Sequence, residues 1–254
     1  MSKDFKKWFD DYSAIYDSFD QHLEQKNKNS EILFNHLNLG QNQRICDVGT
    51  GTGNSIISFQ KLLNKNKIKG EYVGIDISAK MLKHLRAKSK ESKEIHTICA
   101  DMKYLPLISD CIDCQTFYFS IHLARNEDFD LTLRETNRVL RNGTGKLVIV
   151  TIKPNSPFNQ LRDHLKGKKR PVISEQFLIE KLTSIGLHVD FTTVVTNALY
   201  FKTIDNALDF FEKRGLSIKN RKETVEVLKQ YTSVTEEGIE IAVMDQIFIA
   251  FKHS

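Results

Sequence analysis

The sequence predicts an α/β fold in which a seven-stranded, mostly parallel sheet is doubly wound and carries helices on both faces. Three observations favour this fold. Short apolar runs that suit buried strands alternate with segments of helical periodicity. The first strand, Arg44 to Val48, leads through three closely spaced glycines into a helix. Polar and acidic residues follow the next strands, at the edge where parallel sheets bind their ligands.

Length and composition are those of an ordinary globular protein. The 254 residues are enough for one large α/β domain with additions. The net charge of +5 is spread along the chain, so it does not by itself indicate nucleic acid as a partner. No apolar run approaches membrane-spanning length, and residues 1–7 lack the apolar core of a signal peptide. The four cysteines lie in or beside predicted strands and are expected to be reduced thiols of a cytoplasmic protein.

Residues 1–40 are predicted to form a helical lid at the N-terminus. Aromatic residues recur there at helical spacing, and they include Trp8, Tyr12 and Tyr16. Most of these side chains are expected to pack on the main domain, because packing is the commonest role of an apolar helix face. Tyr16 is the candidate for facing the active site, since ligand pockets are enriched in aromatic side chains.

The glycine-rich turn after the first strand is the centre of the predicted site. Positions 47–54 read D-V-G-T-G-T-G-N. Glycine tolerates positive φ and has no Cβ, so its backbone can lie directly against a ligand. The N–H groups that open the following helix can then face the ligand as well. The dinucleotide pattern G-x-G-x-x-G does not fit, because its third glycine would fall on Asn54.

The second strand, residues 70–76, ends on an acid. Asp76 follows the glycine turn by about 20 residues, the distance at which a carboxylate can accept hydrogen bonds from both hydroxyls of a ribose. Ser78 is expected to cap the helix that contains Met81. The strand therefore predicts a nucleoside site beside the glycine turn.

These residues resemble the class I S-adenosylmethionine (SAM)-dependent methyltransferases, in particular those that act on small molecules. The spacing D-x-G-x-G-x-G from Asp47 to Gly53 is similar to the first motif of that family, and G-I-D-I-S from position 74 is similar to the second. The resemblance implies a Rossmann-like fold, SAM as cofactor and methyltransferase activity.

The resemblance also implies which residues contact the cofactor. Asp76 would hold the ribose, Asp101 would accept from the exocyclic amine of adenine, and the backbone N–H of Met102 would meet the ring. The implied cofactor-binding set is Asp47, Gly49, Thr50, Gly51, Gly53, Asp76, Ile77, Met81, Asp101, Met102 and Phe119.

The fourth strand, residues 111–119, leads into S-I-H-L-A-R, which matches the position of the family's fourth motif but not its usual acid. The Asn/Asp-Pro-Pro-Tyr element of enzymes that methylate exocyclic amines in DNA is missing there. The Pro-Cys of cytosine C5 enzymes, which need a thiolate nucleophile, is missing too. Methylation of DNA bases by either route is therefore not expected.

The implied chemistry is an in-line displacement, in which the enzyme holds acceptor, methyl carbon and sulfur in a row. A general base is needed only if the acceptor must lose a proton. His122, just after the fourth strand, is the best-placed candidate base, and a structural histidine beside the cofactor is the alternative reading. Tyr16 is the second catalytic candidate. No set of acids after the fourth and fifth strands suggests a metal, so none is expected.

The C-terminal part is particular to this chain. Residues 154–170, with two prolines and the basic run Lys166–Arg170, are expected to form an exposed segment. Two amphipathic helices, about 204–214 and 220–231, are predicted before the last strand. The chain is thus predicted to be one domain, 1–254, divided into a lid (1–40), a Rossmann-like core (41–196 and 239–254) and a helical insertion (197–238).

Three functions remain open. In the first, the protein methylates an O, N or C atom of a small molecule, and the insertion covers the pocket or forms a homodimer contact. In the second, the acceptor is RNA or protein, which requires the run Lys166–Arg170 to join other cations in one patch. In the third, the chain binds SAM without methylating. The lid and the lack of an appended nucleic-acid module favour the first, with no nucleic-acid or membrane partner.

Overall fold

The computed structural model describes residues 3–13, 16–18, 28–124, 127–167, 173–213, 220–236 and 238–253. The strands are β1 (Gln43–Val48), β2 (Gly70–Asp76), β3 (Ile95–Cys99), β4 (Cys114–Tyr118), β5 (Lys146–Ile152), β6 (Leu187–Phe201), β7 (Thr232–Thr235) and β8 (Gly238–Lys252). The helices are α1 (Lys3–Tyr12), α2 (Lys28–Leu37), α3 (Asn54–Lys65), α4 (Ala79–Lys88), α5 (Glu127–Val139), α6 (Pro157–Lys166), α7 (Glu175–Ser184), α8 (Ile204–Lys213) and α9 (Arg221–Lys229). Short 3₁₀ helices cover Tyr16–Ser18 and Ile121–Leu123.

The strands form one mixed sheet in the order β3-β2-β1-β4-β5-β8-β6, and β7 pairs with β8. Neighbours from β3 to β5 are parallel, whereas β8 runs antiparallel to both β5 and β6. The predicted doubly wound α/β fold with a seven-stranded, mostly parallel sheet is confirmed, and β7 adds a short eighth strand. The order reverses at β1 and β4, so the crevice of the sheet opens beside the glycine turn.

Helices cover both faces because the central strands are apolar on both sides. One face packs against α5 and α7 through side chains such as Phe129 and Leu178. The other face packs against α2, α3 and α4 through side chains such as Leu33 and Phe59. Strands buried on both faces read as continuous apolar runs, which explains why they were recognisable in the sequence.

The segment before the last strand combines helices with an extended β-ribbon. Helices α8 and α9 lie where the amphipathic pattern predicts them. The predicted boundary of the core at residue 196 falls inside a strand, because β6 continues to Phe201. The C-terminal part of the predicted core, residues 239–254, is almost entirely one long strand, β8. The far end of this ribbon packs with α6, α8 and α9 in an apolar cluster of its own, centred on Phe201, Phe210 and Phe211.

The expectation of an exposed segment after β5 is also wrong for residues 157–166, which form α6. Pro157 stands in the first turn of the helix, where its missing N–H removes no hydrogen bond. The Ser156 side chain accepts a hydrogen bond from Asn159 N and caps the helix. Phe158 and Leu161 are buried. Most of the basic run, Lys168–Arg170, lies outside the described residues.

The predicted lid region contains two different elements. α2 packs on the sheet, because Leu33 and Leu37 belong to its apolar core. α1 instead lies against α4, at the mouth of the crevice. Residues 14, 15 and 19–27, part of the aromatic stretch, lie outside the described residues.

The cysteines of the chain are free thiols, and Cys46, Cys111 and Cys114 are buried. Burial raises the pKa of the Cys114 thiol to about 12. Within the described ranges, no helix is both long enough and apolar enough to cross a lipid bilayer.

Candidate active site

A pocket of about 250 Å³ opens at the carboxyl ends of β1, β2 and β4. Its walls come from the glycine turn, from the turns after β2 and β3, from the segment after β4 and from the N-terminal lid. The lining residues are Trp8, Phe9, Tyr12, Tyr16, Val48, Gly49, Gly51, Ile75, Asp76, Ile77, Met81, Ala100, Met102, Phe119, Ser120, His122 and Leu123. This is the position at which doubly wound sheets bind nucleotides and related ligands.

Most of the predicted site residues meet in this pocket. Those that line it are Gly49, Gly51, Asp76, Ile77, Met81, Met102, Phe119, Tyr16 and His122. The lining does not include the other four, Asp47, Thr50, Gly53 and Asp101. Thr50 is a buried residue of the glycine turn itself, and the contacts of the other three explain their positions.

Asp76 is joined to the glycine turn by a hydrogen bond. Its Oδ2 accepts from the backbone N of Gly51 at 2.9 Å, and its Oδ1 accepts from the backbone N of Ser78 at 2.8 Å. Burial raises the pKa of Asp76 above its ordinary value, and the two backbone N–H donors limit that rise. A carboxylate offers about four lone-pair sites, so Asp76 can accept further hydrogen bonds from a ligand.

Asp47 lies under the turn rather than in the pocket. It is 1% exposed, and its Oδ1 accepts from Thr116 Oγ1 at 2.6 Å. Burial raises the pKa of Asp47 to about 6, although the hydrogen bond from Thr116 opposes the rise. The side chain therefore ties β1 to β4 at the point where the glycine turn begins.

Two other predicted residues, Gly53 and Asp101, lie at the turns but outside the pocket lining. Gly53 opens α3 with a positive φ, and a Cβ at this position would lie 2.2 Å from Leu85 Cδ1. The Asp101 carboxylate accepts from the backbone N of Lys103 at 3.1 Å and lies 3.7 Å from Lys103 Nζ. Its contact with an adenine amine stays a prediction.

The lid places aromatic rings over the glycine turn. A Cβ at Gly51 would lie 3.7 Å from Tyr16 Cε1, so the Tyr16 ring covers the turn. The Tyr16 and Tyr12 ring centroids are 5.9 Å apart with nearly perpendicular planes. Tyr12 stacks on Trp8 at 4.8 Å. These rings form one wall of the pocket, including Trp8 and Tyr12, for which packing alone was expected.

Two aspartates connect the lid to the core of the protein. Asp10 accepts from Ser78 Oγ at 2.5 Å, beside the ligand-facing Asp76. Asp17 lies between Thr52 and Lys88: it accepts from Thr52 Oγ1 at 2.5 Å and pairs with Lys88 Nζ at 2.7 Å. Burial raises the pKa of Asp17, but the hydrogen bonds from Lys88 and Thr52 outweigh it and leave the pKa below its ordinary value.

The segment after β4 forms the far wall of the pocket. Phe119 adopts a φ of 53°, which turns the chain out of the strand. Ser120 donates from Oγ to the backbone O of Val48 at 2.6 Å and so joins this segment to the end of β1. His122 follows in the 3₁₀ helix and lines the pocket.

Three residues that hold the site together were not among the predicted site residues. Ser120, Asp10 and Asp17 act through partners that are distant along the chain, and only the fold brings them together. The two aspartates do carry a local signal for the lid, because each follows an aromatic residue, in the pairs Phe9-Asp10 and Tyr16-Asp17. Ser120 carries no such signal. Among the described residues, no three His, Cys, Asp or Glu side chains are arranged to hold a metal ion.

The chain is similar in sequence to known methyltransferases. Residues 45–143 match the family model described as a methyltransferase domain. The chain is 30% identical over 155 residues to the demethylmenaquinone methyltransferase of Staphylococcus saprophyticus, in a match that spans 59% of this chain and 63% of that protein's length. It is 29% identical over 219 residues to an uncharacterized protein of Methanocaldococcus jannaschii, covering 84% of this chain and 90% of that protein.

A solved structure shares the fold. The geranyl diphosphate C-methyltransferase of Streptomyces coelicolor superposes on 89% of this chain and 79% of its own, with a TM-score of 0.54 and 15% identity. Its crystals contain Mg²⁺, geranyl diphosphate and S-adenosyl-L-homocysteine. At this level of identity the likeness concerns the fold.

Proposed function

We propose that this chain, whose residues 45–143 are a class I S-adenosylmethionine-dependent methyltransferase domain, transfers a methyl group from SAM to an O, N or C atom of a small molecule. The observation that carries the proposal is the lining of the pocket, which the glycine turn, Asp76 and the lid rings share. The glycine turn and Asp76 lie on one side, and the lid rings of Trp8, Tyr12 and Tyr16 lie on the other.

The residues at the pocket fit SAM. Asp76 is half-buried, keeps acceptor capacity beyond its two backbone donors and lines the pocket, as a ribose partner must. Ile77, Met81 and Met102 supply an apolar lining on the same side, which suits the faces of an adenine ring. Gly51 leaves its wall without a side chain, so the backbone itself can approach the ligand.

Bound SAM supplies a methyl group made electrophilic by the adjacent sulfonium. The task of the chain is then to orient two reactants, a contribution worth roughly 7–11 kcal/mol in well-aligned systems. Asp76 and the glycine turn hold one reactant, and the lid with the wall after β4 confines the other.

His122 is the residue we propose for proton removal. It lines the same pocket as Asp76, and it lies in the 3₁₀ helix after β4, close in sequence to Phe119 and Ser120. A neutral imidazole at that place can accept the proton of an acceptor hydroxyl or amine. Tyr16 is proposed to close the site over the glycine turn rather than to exchange a proton, because its ring lies against Gly51.

Named relatives support a small acceptor. The Staphylococcus relative is named for a quinone precursor, and the Streptomyces structure contains geranyl diphosphate. Both compounds are small molecules. A cytoplasmic location suits the free, partly buried thiols of this chain.

Incubation of the full chain with methyl-labelled SAM and a cell extract tests the proposal. The extract is separated afterwards into small-molecule, RNA and protein fractions. Label in the small-molecule fraction is expected, and it should depend on Asp76. Label confined to RNA or protein would replace the proposed acceptor class. No label in any fraction, despite tight SAM binding, would favour a binding module without activity.

A further inference from the structure

A buried cluster of three polar side chains lies beside the end of β5, outside the lining of the active-site pocket. Asp245 of β8 accepts hydrogen bonds through Oδ2 from Asn29 Nδ2 at 2.8 Å and from Asn197 Nδ2 at 2.6 Å. Asn29 belongs to α2 and Asn197 to β6, so three separate elements meet here. Each of the three side chains is at most 9% exposed.

The cluster presents three buried oxygens that have no hydrogen-bond partner among the described residues. They are Oδ1 of Asp245, Oδ1 of Asn29 and Oδ1 of Asn197. Buried polar atoms are nearly always paired, so three such acceptors in one cluster point to a ligand that donates hydrogen bonds. Asp245 also lacks an ion-pair partner within the described part of the chain, so its ionised form carries an uncompensated charge.

We propose that this cluster binds the primary ammonium group of the methyl acceptor, an inference that rests on the proposed function. A primary ammonium carries three N–H donors, which equals the number of open oxygens on Asp245, Asn29 and Asn197. Its positive charge compensates the buried carboxylate. A neutral hydroxyl offers one donor and no charge, and an anion is repelled.

The strand register places the cluster near the active site. Ile152, at the end of β5, pairs with Asp245, and Val150 pairs with Tyr118 of β4. Ser120, two residues beyond Tyr118, is therefore level with Ile152 and Asp245 at the same edge of the sheet. Neighbouring strands are about 4.8 Å apart, so Asp245 lies about 10 Å along the edge from the pocket wall. An acceptor with an amine at one end and the methylated atom at the other spans this distance.

Thermal unfolding of the full chain at pH 8 tests the site without requiring turnover. The probe is ethylammonium chloride. Tetramethylammonium chloride has the same charge without N–H donors, ethanol has the same size without the charge, and sodium and potassium chloride represent metal ions. The variants are D245N and N29A, with D190N, an exposed aspartate on β6, as the matched control.

Ethylammonium at about ten times its dissociation constant is expected to raise the melting temperature of the native chain and of D190N by about 3 °C over tetramethylammonium at equal ionic strength. The shift should vanish in D245N and shrink in N29A. Equal shifts with ethanol, equal shifts in D245N, or no shift at all would overturn the ammonium site. A matching shift with sodium or potassium chloride would also overturn it and assign a metal ion instead.

The link to the acceptor has its own test. The labelled small-molecule product from the extract experiment should bind to a cation-exchange resin at neutral pH. A neutral or anionic product would overturn the assignment of the ammonium to the acceptor while leaving the methyltransferase proposal intact. A chain that forms no product, yet responds to ethylammonium as expected, would overturn the methyltransferase proposal and the link to a methyl acceptor, while leaving an ammonium site at Asp245.

Discussion

The carboxylate of Asp76 accepts a hydrogen bond from the backbone N–H of Gly51 at 2.9 Å, which joins the end of β2 to the glycine turn after β1. The bond aligns Asp76, the proposed ribose acceptor, with Gly51, and both residues line the pocket. Two short motifs that are separate in the sequence therefore form one surface. The lid closes over that surface through the ring of Tyr16.

The glycine turn requires a glycine at position 53 for two reasons that can be separated. Gly53 and Gly186 have nearly the same φ, +83° and +80°, but only Gly53 has Leu85 within contact distance of an added Cβ. G186A is expected to lower the free energy of unfolding by about 1–2 kcal/mol through backbone strain. G53A should lower it by about 1–3 kcal/mol more through overpacking. Denaturant unfolding measures the free energy of unfolding of both variants. Equal losses in G53A and G186A would show that Leu85 moves aside without cost when a Cβ is added at position 53.

Asp17 is expected to hold the lid closed. D17N weakens the contacts to Lys88 and Thr52, and hydrogen bonds to charged groups contribute roughly 1.5–3 kcal/mol. S-adenosylhomocysteine should therefore dissociate about tenfold faster from D17N. Trp8, the single tryptophan of the chain, lines the pocket, so its fluorescence in stopped flow reports the release.

D11N is the matched control for that experiment. Asp11 lies in α1, the other element of the lid, and pairs with Lys7 on its exposed side, where an ion pair contributes little. D11N should release S-adenosylhomocysteine at the same rate as the native chain. Equal release rates for D17N and D11N would contradict the claim that Asp17 holds the lid closed.

Asp245 is expected to make stability depend on pH. Burial raises its folded pKa to about 6 from an ordinary 3.8, and the hydrogen bonds from Asn29 and Asn197 oppose the rise. The folded chain therefore holds more protons than the unfolded chain between these values, so this group lowers stability by about 3 kcal/mol as pH rises from 4 to 7. D245N should abolish this pH-dependent loss of stability, because the amide does not ionise.

The measurement is the difference in unfolding free energy between D245N and the native chain across this pH range. The difference should grow in favour of D245N as pH rises, because the amide carries no charge to bury. D190N, whose aspartate is exposed, should show a flat difference. A flat difference for D245N as well would mean that Asp245 is not desolvated in solution.

His122 is expected to affect turnover far more than SAM binding. H122A should lower kcat by about 10²–10⁴-fold if the imidazole removes the acceptor proton. The native profile of kcat against pH should rise through the range in which histidine titrates, and the variant should lose this limb. H188A, on β6 outside the pocket lining, serves as control. A small, pH-independent loss of kcat in H122A would indicate that His122 has a structural role only.

The part of the molecule that follows from local patterns could be predicted from the sequence. Strands buried on both faces appear as apolar runs, and the glycine turn and Asp76 lie where the ends of adjacent parallel strands must meet. The helices α8 and α9 follow from their amphipathic period.

What depends on distant contacts could not be predicted. The bond of Asp10 to Ser78, the pair of Asp17 with Lys88 and the cluster around Asp245 each join residues far apart in the sequence.

The segment after β5 carries two local signals that predict different structures. Its prolines predict a loop, whereas Pro157 also suits the first turn of a helix, and the buried side of that helix is formed by residues such as Phe158.

Calorimetric titration of SAM into the full chain tests the central claim most directly. The native chain should bind one SAM, and D76A should bind at least tenfold more weakly, because a charged acceptor of the ribose hydroxyls contributes on the order of 1–3 kcal/mol. E71Q, an exposed position on the same strand, should bind like the native chain. Equal affinity in D76A and the native chain, or no binding in the native chain, would contradict the assignment of this pocket to SAM.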